Sequence, residues 1–375
     1  MADHSRLAPS SAGVWGARNG CPGSVALQER FPESRDRDQT AAEEGTAAHW
    51  VAENLVNAMC HPKELIGLPA PNKVIIDQEM IDAALVFSNN VGDTRRYHVG
   101  IPAFTEQRVA ATSIHPECWG TSDCISYAPD VRTLYVWDFK YGRGFVEAFE
   151  NLQAACYAQA AIDTLRFDPA TIVMRIVQPR AYSGEGPIRE WRISREAFQP
   201  YIDQLRKAAA EATVPNAPTR SGTHCRYCSA LRACMTGQRA GISLFETVGG
   251  IEAHELDPHS LGLMAKIVSR AYEQLGYVKS AYETQIESIY RQGNQVPGWS
   301  MSPGRGSEKW TMTDEQMLSL GRKLGVDLSK PGVLTPNQAR EARMDPDLIK
   351  QFSERVPGSL RVVETNEKSL RKIFT

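Results

Sequence analysis

The sequence has no apolar run of the roughly 18 residues that a membrane-spanning helix requires, so no membrane association is expected. Its start has no basic segment followed by an apolar stretch, which argues against a secretory signal and favours the cytoplasm. Internal repeats and low-complexity tracts are also missing. With 375 residues, 42% of them hydrophobic, the composition is that of an ordinary soluble protein and argues against disorder and collagen-like repeats.

The chain also lacks an excess of charge of either sign, since 42 Lys and Arg residues stand against 44 Asp and Glu. This balance argues against a histone-like polyanion binder and leaves local basic surfaces possible. Between Arg189 and Arg239, nine basic and four acidic residues occur, which either line a DNA groove or form a solvated helix face. Eight cysteines in a reducing compartment need an explanation other than disulfides.

The order of elements predicts a mixed α/β layer domain, because helices come first and strands interrupted by one helix follow. The predicted helices are a first helix ending near Cys21, a second from Thr40 to Met59 after a polar insert from Glu29 to Gln39, a third from Glu147 to Leu165 and a fourth over residues 195–214. The predicted strands cover residues 103–112, 120–128, 132–140, 171–178 and 188–193.

A change of pattern near residue 242 predicts a boundary between two domains, 1–241 and 242–375. The second part begins with a long amphipathic helix from Pro258 to Arg291. Short helices from residues 313 and 335 follow, so we expect a mainly helical α/β appendage. Trp299 and Trp310 are expected to pack in its small core rather than to stack on nucleobases.

The strongest chemical signal is Asp123 followed fifteen residues later by Asp138 and, two residues on, by Lys140. On adjacent antiparallel strands, the two carboxylates meet at one point and offer the oxygen ligands that Mg²⁺ or Mn²⁺ prefers. Because residues i and i+2 share a strand face, Lys140 lies beside Asp138. This combination suits phosphodiester hydrolysis, although an Asp-x-Lys triplet alone is more typical of a solvated ion pair.

Other candidates accompany these acids. His49, in the helical segment Glu44 to His49, could supply a nitrogen ligand or be a packed helix residue. Gln153 and Tyr157 lie one helical turn apart and could contact a phosphate or position Lys140. Glu106 is interpreted as a surface strand residue, with a place near the metal as the alternative.

The cysteines at 225, 228 and 234 form a C-x₂-C-x₅-C pattern, which indicates a metal or cluster site. A tetrahedral thiolate site needs a fourth ligand. Cys21 is the candidate and His224 is the local alternative. The remaining cysteines, at 60, 118, 124 and 156, are expected to be small buried apolar residues.

Taken together, the first 240 residues resemble the RecB-like branch of the PD-(D/E)XK nuclease superfamily, near the CRISPR-associated exonucleases. They resemble still more a phage and prophage family of unassigned function, through Pro9-Ser10-Ser11 before Trp15, the run Glu43 to His49, and Asp138 to Gly142. The resemblance implies a restriction-endonuclease-like core with a mixed central sheet flanked by helices. It says almost nothing about residues 242–375.

The pattern of that branch matches His49, Asp123, Asp138, Lys140, Gln153 and Tyr157. The resemblance implies that His49, Asp123, Asp138 and the main-chain carbonyl of Phe139 bind Mg²⁺ or Mn²⁺. It also implies a structural [4Fe–4S] cluster on Cys21, Cys225, Cys228 and Cys234, with zinc as the alternative.

The expected function is that of a metal-dependent DNA exonuclease acting in phage replication or recombination in the cytoplasm of a bacterial host. Its partners would be linear or single-stranded DNA and a phage recombinase or annealing protein. The alternative is a catalytically silent nuclease fold that binds DNA or assembles recombination proteins. A zinc-ribbon regulator fits less well, because it leaves the acidic strand pair without a role.

Overall fold

The structure is a computed structural model that describes residues 5–32, 39–181, 184, 186–249, 257–304, 306–330, 332–356 and 360–364. The contacts divide the chain into two compact units, Met1–Ala281 and Tyr282–Thr375. This division lies inside the long helix, later in the chain than the boundary predicted at residue 242.

Helices come first along the chain, and the strands begin at Phe104. The α-helices are α1 (Ala12–Trp15), α2 (Ser24–Arg30), α3 (Thr40–Val56), α4 (Pro62–Leu65), α5 (Gln78–Tyr97), α6 (Leu152–Leu165), α7 (Arg195–Thr213), α8 (Met235–Gly249), α9 (Pro258–Arg291), α10 (Asp314–Leu324), α11 (Pro336–Glu341) and α12 (Pro346–Phe352). The strands are β1 (Phe104–Ala110), β2 (Trp119–Ala128), β3 (Thr133–Phe139), β4 (Thr171–Val177), β5 (Ile188–Ser194), β6 (Trp299–Pro303), β7 (Ser307–Trp310), β8 (Ser329–Lys330), β9 (Gly332–Val333), β10 (Ser353–Val356) and β11 (Leu360–Glu364). Short 3₁₀ helices cover Pro9–Ser11, Thr223–Tyr227 and Leu231–Ala233.

The first unit is built on a five-stranded mixed sheet in the order β1-β2-β3-β4-β5. Strands β1, β2 and β3 form an antiparallel meander, and β5 is antiparallel to β4. Strand β4 is parallel to β3, so the chain must cross the sheet between them, and α6 forms that crossover. The expected α/β fold with a mixed sheet between helices is confirmed.

Helices cover both faces of the sheet, which is why its central strand β3 is buried at every position. Leu134 and Val136 pack on one side, in a core shared with α6 and α7. Tyr135, Trp137 and Phe139 pack on the other side, in a core shared with α3 and α5. The alternation along β3 therefore places Asp138 on the α6 side.

The strands and the fourth helix were predicted to within about two residues at each end, but the first helix was wrong. The chain before Cys21 forms a 3₁₀ turn and the short helix α1, which ends at Trp15. A Cβ at Gly20 would clash with the Val14 carbonyl oxygen, so the chain turns sharply back there. Helix α2 extends into the predicted polar insert as far as Arg30. Residues 33–38 of the insert lie outside the described residues.

Helix α5 was not predicted, although the sequence contains its signals. The Asp77 carboxylate accepts the N–H of Met80 at 2.8 Å and caps its first turn. Buried residues then recur at helical spacing, including Ile81, Ala84, Phe87 and Val91. This helix covers the sheet face opposite α6.

The second unit has its own small core, formed by Met317, Leu328, Ala339, Met344 and Ile349. Helices α10 and α11 begin one residue after the predicted positions, at Asp314 and Pro336. Trp310 packs against this core and donates its indole N–H to the Leu334 carbonyl at 2.6 Å, as expected for a packing residue. Among the described residues, no helix is both long and apolar enough to cross a membrane.

Trp137 provides a test of the core. Its side chain is fully buried, and its indole N–H donates to Asn90 Oδ1 at 2.8 Å. We expect Trp137→Ala to lower the free energy of unfolding by about 3–5 kcal/mol, because it leaves a cavity and removes one of the two hydrogen bonds that Asn90 Oδ1 accepts, the other being from Arg175 at 3.2 Å. Tyr97→Ala, at a residue that is 83% exposed, is the matched control and should change it by less than about 0.5 kcal/mol. Urea unfolding followed by circular dichroism measures both, and equal effects would contradict this description of the core.

Candidate active site

The candidate site begins at a distortion in the β1–β2 pair. Thr105 pairs with Cys124 and Gln107 with Ser122, which places Glu106 opposite Asp123 at an interruption of the ladder. Glu106 has a φ of +43°, in the left-handed region that non-glycine residues rarely adopt. Such strain persists where the surrounding structure enforces it, and it is concentrated at functional sites.

The distortion changes which face the strand residues occupy. Phe104 and Val109 both pack in the core on the α6 side, although residues five apart point to opposite faces of a regular strand. On β2, Ile125 packs in that core, and the position of a Cβ at Gly120 faces Tyr157 of α6. The alternation therefore reverses in both strands near Glu106 and Asp123.

Helix α3 brings His49 to this point. Its Nδ1 atom lies 3.4 Å from Asp123 Oδ1 and 3.7 Å from Glu106 Oε1. The ligand atoms of His49, Glu106 and Asp123 lie within 4.8 Å of one another, so the three could hold a metal ion. The imidazole also packs against Phe139, with ring centroids 5.3 Å apart. A nitrogen and two carboxylates suit Mn²⁺ at least as well as Mg²⁺, which prefers oxygen ligands alone.

Asp123 is also fixed by the neighbouring strand, because its Oδ2 accepts the backbone N–H of Phe139 at 2.6 Å. The remaining oxygen, Oδ1, faces His49. The predicted role of Phe139 was that of a carbonyl ligand, and the contact that the structure shows is made by its N–H group.

Asp138 is only 4% exposed and lies in a network with Lys140 and Gln153. The Lys140 Nζ donates to Asp138 Oδ1 at 3.1 Å and forms an ion pair with Oδ2 at 2.9 Å. The amide of Gln153, in the first turn of α6, donates to Asp138 Oδ1 at 2.6 Å, and its oxygen accepts from Lys140 at 3.4 Å. Asp138 Oδ2 is buried, and its contact with Lys140 is an ion pair without hydrogen-bond geometry.

These contacts shift two pKa values in the same direction for different reasons. Burial raises the pKa of Asp138 to about 6, with Lys140 opposing the shift and Asp123 adding to it. Burial disfavours the charged form of His49, but Asp123 and Glu106 outweigh it and raise the pKa of His49 to about 10. Without a metal, the acids thus hold a proton on the imidazole.

Tyr157 lies one turn beyond Gln153 on α6 and closes the site from that side. A Cβ at Gly120 would lie 3.2 Å from the Tyr157 hydroxyl oxygen and 3.2 Å from Pro9 Cδ, so a side chain there would require its neighbours to move by a few tenths of an ångström. Burial, followed by the charges of Asp123 and Asp138, raises the pKa of Tyr157 and keeps its hydroxyl protonated.

The structure therefore brings together the residues selected from the sequence, with one rearrangement. The compact ligand group contains Glu106, which was interpreted as a surface residue, while Asp138 lies beside it in contact with Lys140. A carboxylate on β1 directly opposite Asp123 was the available sequence signal. The backbone conformation that turns Glu106 inward has no signature in residue type.

A second cluster joins the start of the first unit to its end. Gly23 donates to the Pro218 carbonyl at 2.9 Å, and Arg220 donates its backbone N–H to Cys21 Sγ at 3.3 Å. Burial raises the pKa of Cys228 to about 11, and the charges of Cys21, Cys225 and Cys234 add to the shift. All four predicted cysteines therefore lie close enough to interact.

The sulfur atoms in this cluster accept backbone hydrogen bonds. Gly222 donates to Cys225 Sγ and Gly237 to Cys234 Sγ, each at 3.4 Å. His224 hydrogen-bonds to Cys21 and Cys225, and its Nε2 lies 2.9 Å from the Arg220 carbonyl oxygen. Burial opposes the Cys225 thiolate, but these donors outweigh it and lower the pKa of Cys225. His224 thus lies beside the sulfur atoms as a hydrogen-bond partner.

The basic stretch from Arg189 to Arg239 is largely occupied by contacts within the fold. Arg192 pairs with Glu190 at 3.2 Å, Arg206 with Asp203 at 2.7 Å, and Arg220 with Glu211. The interpretation as a solvated and internally paired surface accounts for these side chains.

Fold and site together define an α/β protein with a histidine–carboxylate group beside a buried Asp–Lys–Gln network. The chain belongs to a family described as a protein of unknown function, DUF2800, and the family model matches residues 4–368.

The raised pKa of His49 predicts that metal binding releases a proton. A metal binds the neutral imidazole, so below about pH 10 the ion must displace the proton held by Asp123 and Glu106. Between pH 7 and 9 the affinity for Mn²⁺ should rise about tenfold per pH unit.

Titration calorimetry in buffers of different ionisation enthalpy measures both the affinity and the number of protons released. His49→Gln should bind Mn²⁺ more weakly and lose the pH dependence, whereas the exposed residue change His259→Gln should leave both unchanged. Wild-type affinity that is independent of pH would contradict the arrangement.

Proposed function

We propose that the protein is a metal-dependent deoxyribonuclease, an exonuclease that hydrolyses phosphodiester bonds during phage DNA replication or recombination in the bacterial cytoplasm. The main supporting observation is that the His49–Glu106–Asp123 group lies directly beside the Asp138–Lys140–Gln153 network. Phosphodiester hydrolysis requires both parts, because it needs compensation of phosphate charge and a positioned water.

His49, Glu106 and Asp123 would hold the divalent ion, and Asp138 lies close enough to interact electrostatically with Asp123 and His49. When bound, the ion supplies positive charge against the phosphate oxygens and lowers the pKa of a water molecule. The ligand set fits this role because one imidazole nitrogen and two carboxylates offer ligand atoms within 4.8 Å of one another.

Lys140 has the second role. Its Nζ is fixed by Asp138 and Gln153, so it can orient an attacking water molecule. It can also offset negative charge on the phosphate oxygens in the transition state. Gln153 is a positioning residue in this scheme, because it bonds to both Asp138 and Lys140. The Tyr157 hydroxyl, kept protonated, can donate to a phosphate oxygen of the strand.

A silent DNA-binding protein with the same fold is the rival function. Such a protein would not need a buried carboxylate beside a lysine, an arrangement that is costly to bury unless its partners are all present. The complete Asp138–Lys140–Gln153 network therefore favours turnover.

Lys140→Ala tests the proposal. We expect it to lower the rate of cleavage of end-labelled linear DNA in Mn²⁺ or Mg²⁺ by about 10²–10⁴-fold, because it removes the group that orients the water. Circular DNA should resist the wild-type protein if the enzyme requires an end.

Lys207→Ala, at an exposed residue of α7, is the matched control and should cleave at the wild-type rate. Circular dichroism should show the same fold for both variants. The proposal is wrong if Lys140→Ala cleaves DNA at the wild-type rate. It is also wrong if the wild type cleaves neither linear nor single-stranded DNA.

The cysteine cluster supports a second element of the proposal, a [4Fe–4S] cluster on Cys21, Cys225, Cys228 and Cys234. Backbone N–H groups donate to three of these sulfur atoms, as is usual around cluster thiolates. A zinc ion with Zn–S distances of about 2.3 Å would need sulfur atoms about 3.8 Å apart. Among the described residues, no three of these sulfur atoms lie within 4.8 Å of one another, which favours the larger cluster over zinc.

Such a cluster would be structural. It joins Cys21 to Cys225 across a loop of roughly 200 residues, and a crosslink over a loop of this length greatly reduces the entropy of the unfolded chain. It lies outside the histidine–carboxylate group, so it would take no part in hydrolysis.

Anaerobically purified protein should therefore be brown, with broad visible absorption and about four iron atoms and four sulfides per chain. Cys228→Ser should lose the colour and the iron and should unfold at a lower temperature than the wild type. Cys60→Ser should keep the colour, the iron and the wild-type unfolding temperature. If the wild-type protein is colourless and contains one zinc ion per chain, the cofactor is zinc and the [4Fe–4S] assignment is wrong.

A further inference from the structure

The loop of residues 141–149 connects the two halves of the candidate active site. It begins directly after Lys140 and ends just before α6, whose first turn carries Gln153. Its position therefore places it beside any strand that reaches Asp138 and Lys140.

Two buried polar residues fix the path of this loop. Gln178 is 1% exposed, and its amide donates to the carbonyl oxygens of Gly142 at 2.8 Å and Gly144 at 2.6 Å. Its own oxygen accepts from the N–H of Val146 at 3.1 Å and from Arg189 at 2.6 Å. Arg189, which is 3% exposed, also donates to the Val146 carbonyl at 2.8 Å. The loop is thus held in one conformation although it has no regular secondary structure.

The register of the sheet places this support in the same row as the acids. Asp138 pairs with Ile176, and Ile176 pairs with Arg189. Two strand spacings separate Asp138 from Arg189, a distance of about 10 Å. Gln178 lies two residues beyond Ile176 and on the same face.

The fixed loop exposes two aromatic side chains. Phe145 is 53% exposed, with one side of its ring against the Arg189 guanidinium 4.6 Å away. Phe149 is 61% exposed and contacts Trp191 edge-on, with ring centroids 6.1 Å apart. The predicted helix from Glu147 to Leu165 included Phe149, whereas in the structure this residue lies before α6 and is exposed.

The backbone around Phe149 is constrained as well. Glu147 Oε1 accepts the N–H groups of Ala148 at 2.7 Å and Phe149 at 3.1 Å. Glu150 has a φ of +55°, and the following residue, Asn151, caps α6 by accepting the N–H of Ala154 at 3.0 Å. This turn is the reason why α6 begins at Leu152 and not at Glu147 as predicted, and it directs Phe149 to solvent.

Neither the backbone conformation nor a close neighbour requires glycine at two positions of the loop. Neither Gly142 nor Gly144 has a positive φ, and a Cβ at either position would have no protein atom within 4 Å. Both leave open space over the loop, which allows close approach of a ligand to the backbone.

We infer that the 141–149 loop is a preformed stacking platform for unpaired nucleobases of single-stranded DNA, with Phe145 and Phe149 as the stacking side chains. The inference rests on the proposed nuclease function, and it specifies the substrate as a strand whose bases next to the cleaved phosphodiester are unpaired. Exposed aromatic rings on a rigid support bind bases of any sequence, because every base has an apolar face.

The test measures binding to a fluorescent oligothymidine of about 20 nucleotides by anisotropy, with the full chain in Ca²⁺ to prevent turnover. Phe145→Ala and Phe149→Ala should each weaken binding by about 5- to 100-fold, the range expected for the loss of one stacked base. Phe145→Tyr and Phe149→Tyr should bind within about twofold of the wild type, because tyrosine also stacks. Tyr97→Ala, an exposed aromatic residue at the end of α5, should have no effect.

An abasic oligonucleotide of the same length separates stacking from other contacts. The wild type should bind it more weakly than oligothymidine, and the alanine variants should bind it as the wild type does. The inference is overturned if the alanine variants bind oligothymidine normally, or if they lose the same affinity for both strands.

Cleavage of linear DNA distinguishes this failure from failure of the proposed function. If the wild type cleaves linear DNA and both alanine variants bind oligothymidine normally, the stacking platform is rejected and the nuclease function is retained. If both variants lose base-dependent binding and the wild type does not cleave DNA, the nuclease function is rejected and the stacking platform is retained.

Discussion

The buried carboxylate of Asp138 is the constraint on which the site depends. A carboxylate in the interior is strongly disfavoured unless charge and hydrogen bonds compensate it. In this protein Lys140 supplies the charge from the same strand face and Gln153 supplies the amide from α6. Both partners are available because the chain leaves β3, passes through the 141–149 loop and enters the crossover helix before returning as the parallel strand β4. Because β3 and β4 are parallel, the chain between them must form a crossover, and the helix of that crossover carries Gln153.

The sheet arranges the other groups relative to this carboxylate. Asp123 lies opposite Asp138 on β2, and Glu106 lies opposite Asp123 on β1, at the point where both strands change the facing of their side chains. Across β4, the same row ends at Arg189, which supports the 141–149 loop. One row of the sheet therefore carries the ligand group, the acid–lysine pair and the support for the loop. The ladder is distorted at one side of this row, and a buried Gln178–Arg189 pair lies at the other.

Local rules were sufficient for part of this arrangement. Alternation in β3 placed Lys140 beside Asp138, and helical spacing placed Tyr157 one turn from Gln153, because both depend on one element. The C-x₂-C-x₅-C spacing likewise identified three of the four sulfur atoms. The inward turn of Glu106 was missed, because it depends on a backbone conformation imposed by two strands and a helix together. The start of α6 was missed for a similar reason, since Glu147, Glu150 and Asn151 have acceptable helical propensities and the turn they form is fixed by hydrogen bonds to the backbone.

The cysteine cluster and the candidate active site are separate centres, but the N-terminal segment joins them. The segment between Ser5 and Cys21 packs Pro9 against Gly120, where Tyr157 also approaches, and Trp15 and Leu7 fill the core under α6 and α7. Cys21 then meets the segment around Arg220, which holds the end of this stretch against the cysteine-rich region. The start of the segment is held separately, because the Glu117 carbonyl accepts from the Ser5 hydroxyl at 2.6 Å and from the Leu7 N–H at 3.2 Å. A cofactor on the four sulfur atoms would therefore fix the end of the segment whose Pro9 packs beside Tyr157, while the groups proposed to face a phosphodiester belong to the sheet, α3 and α6.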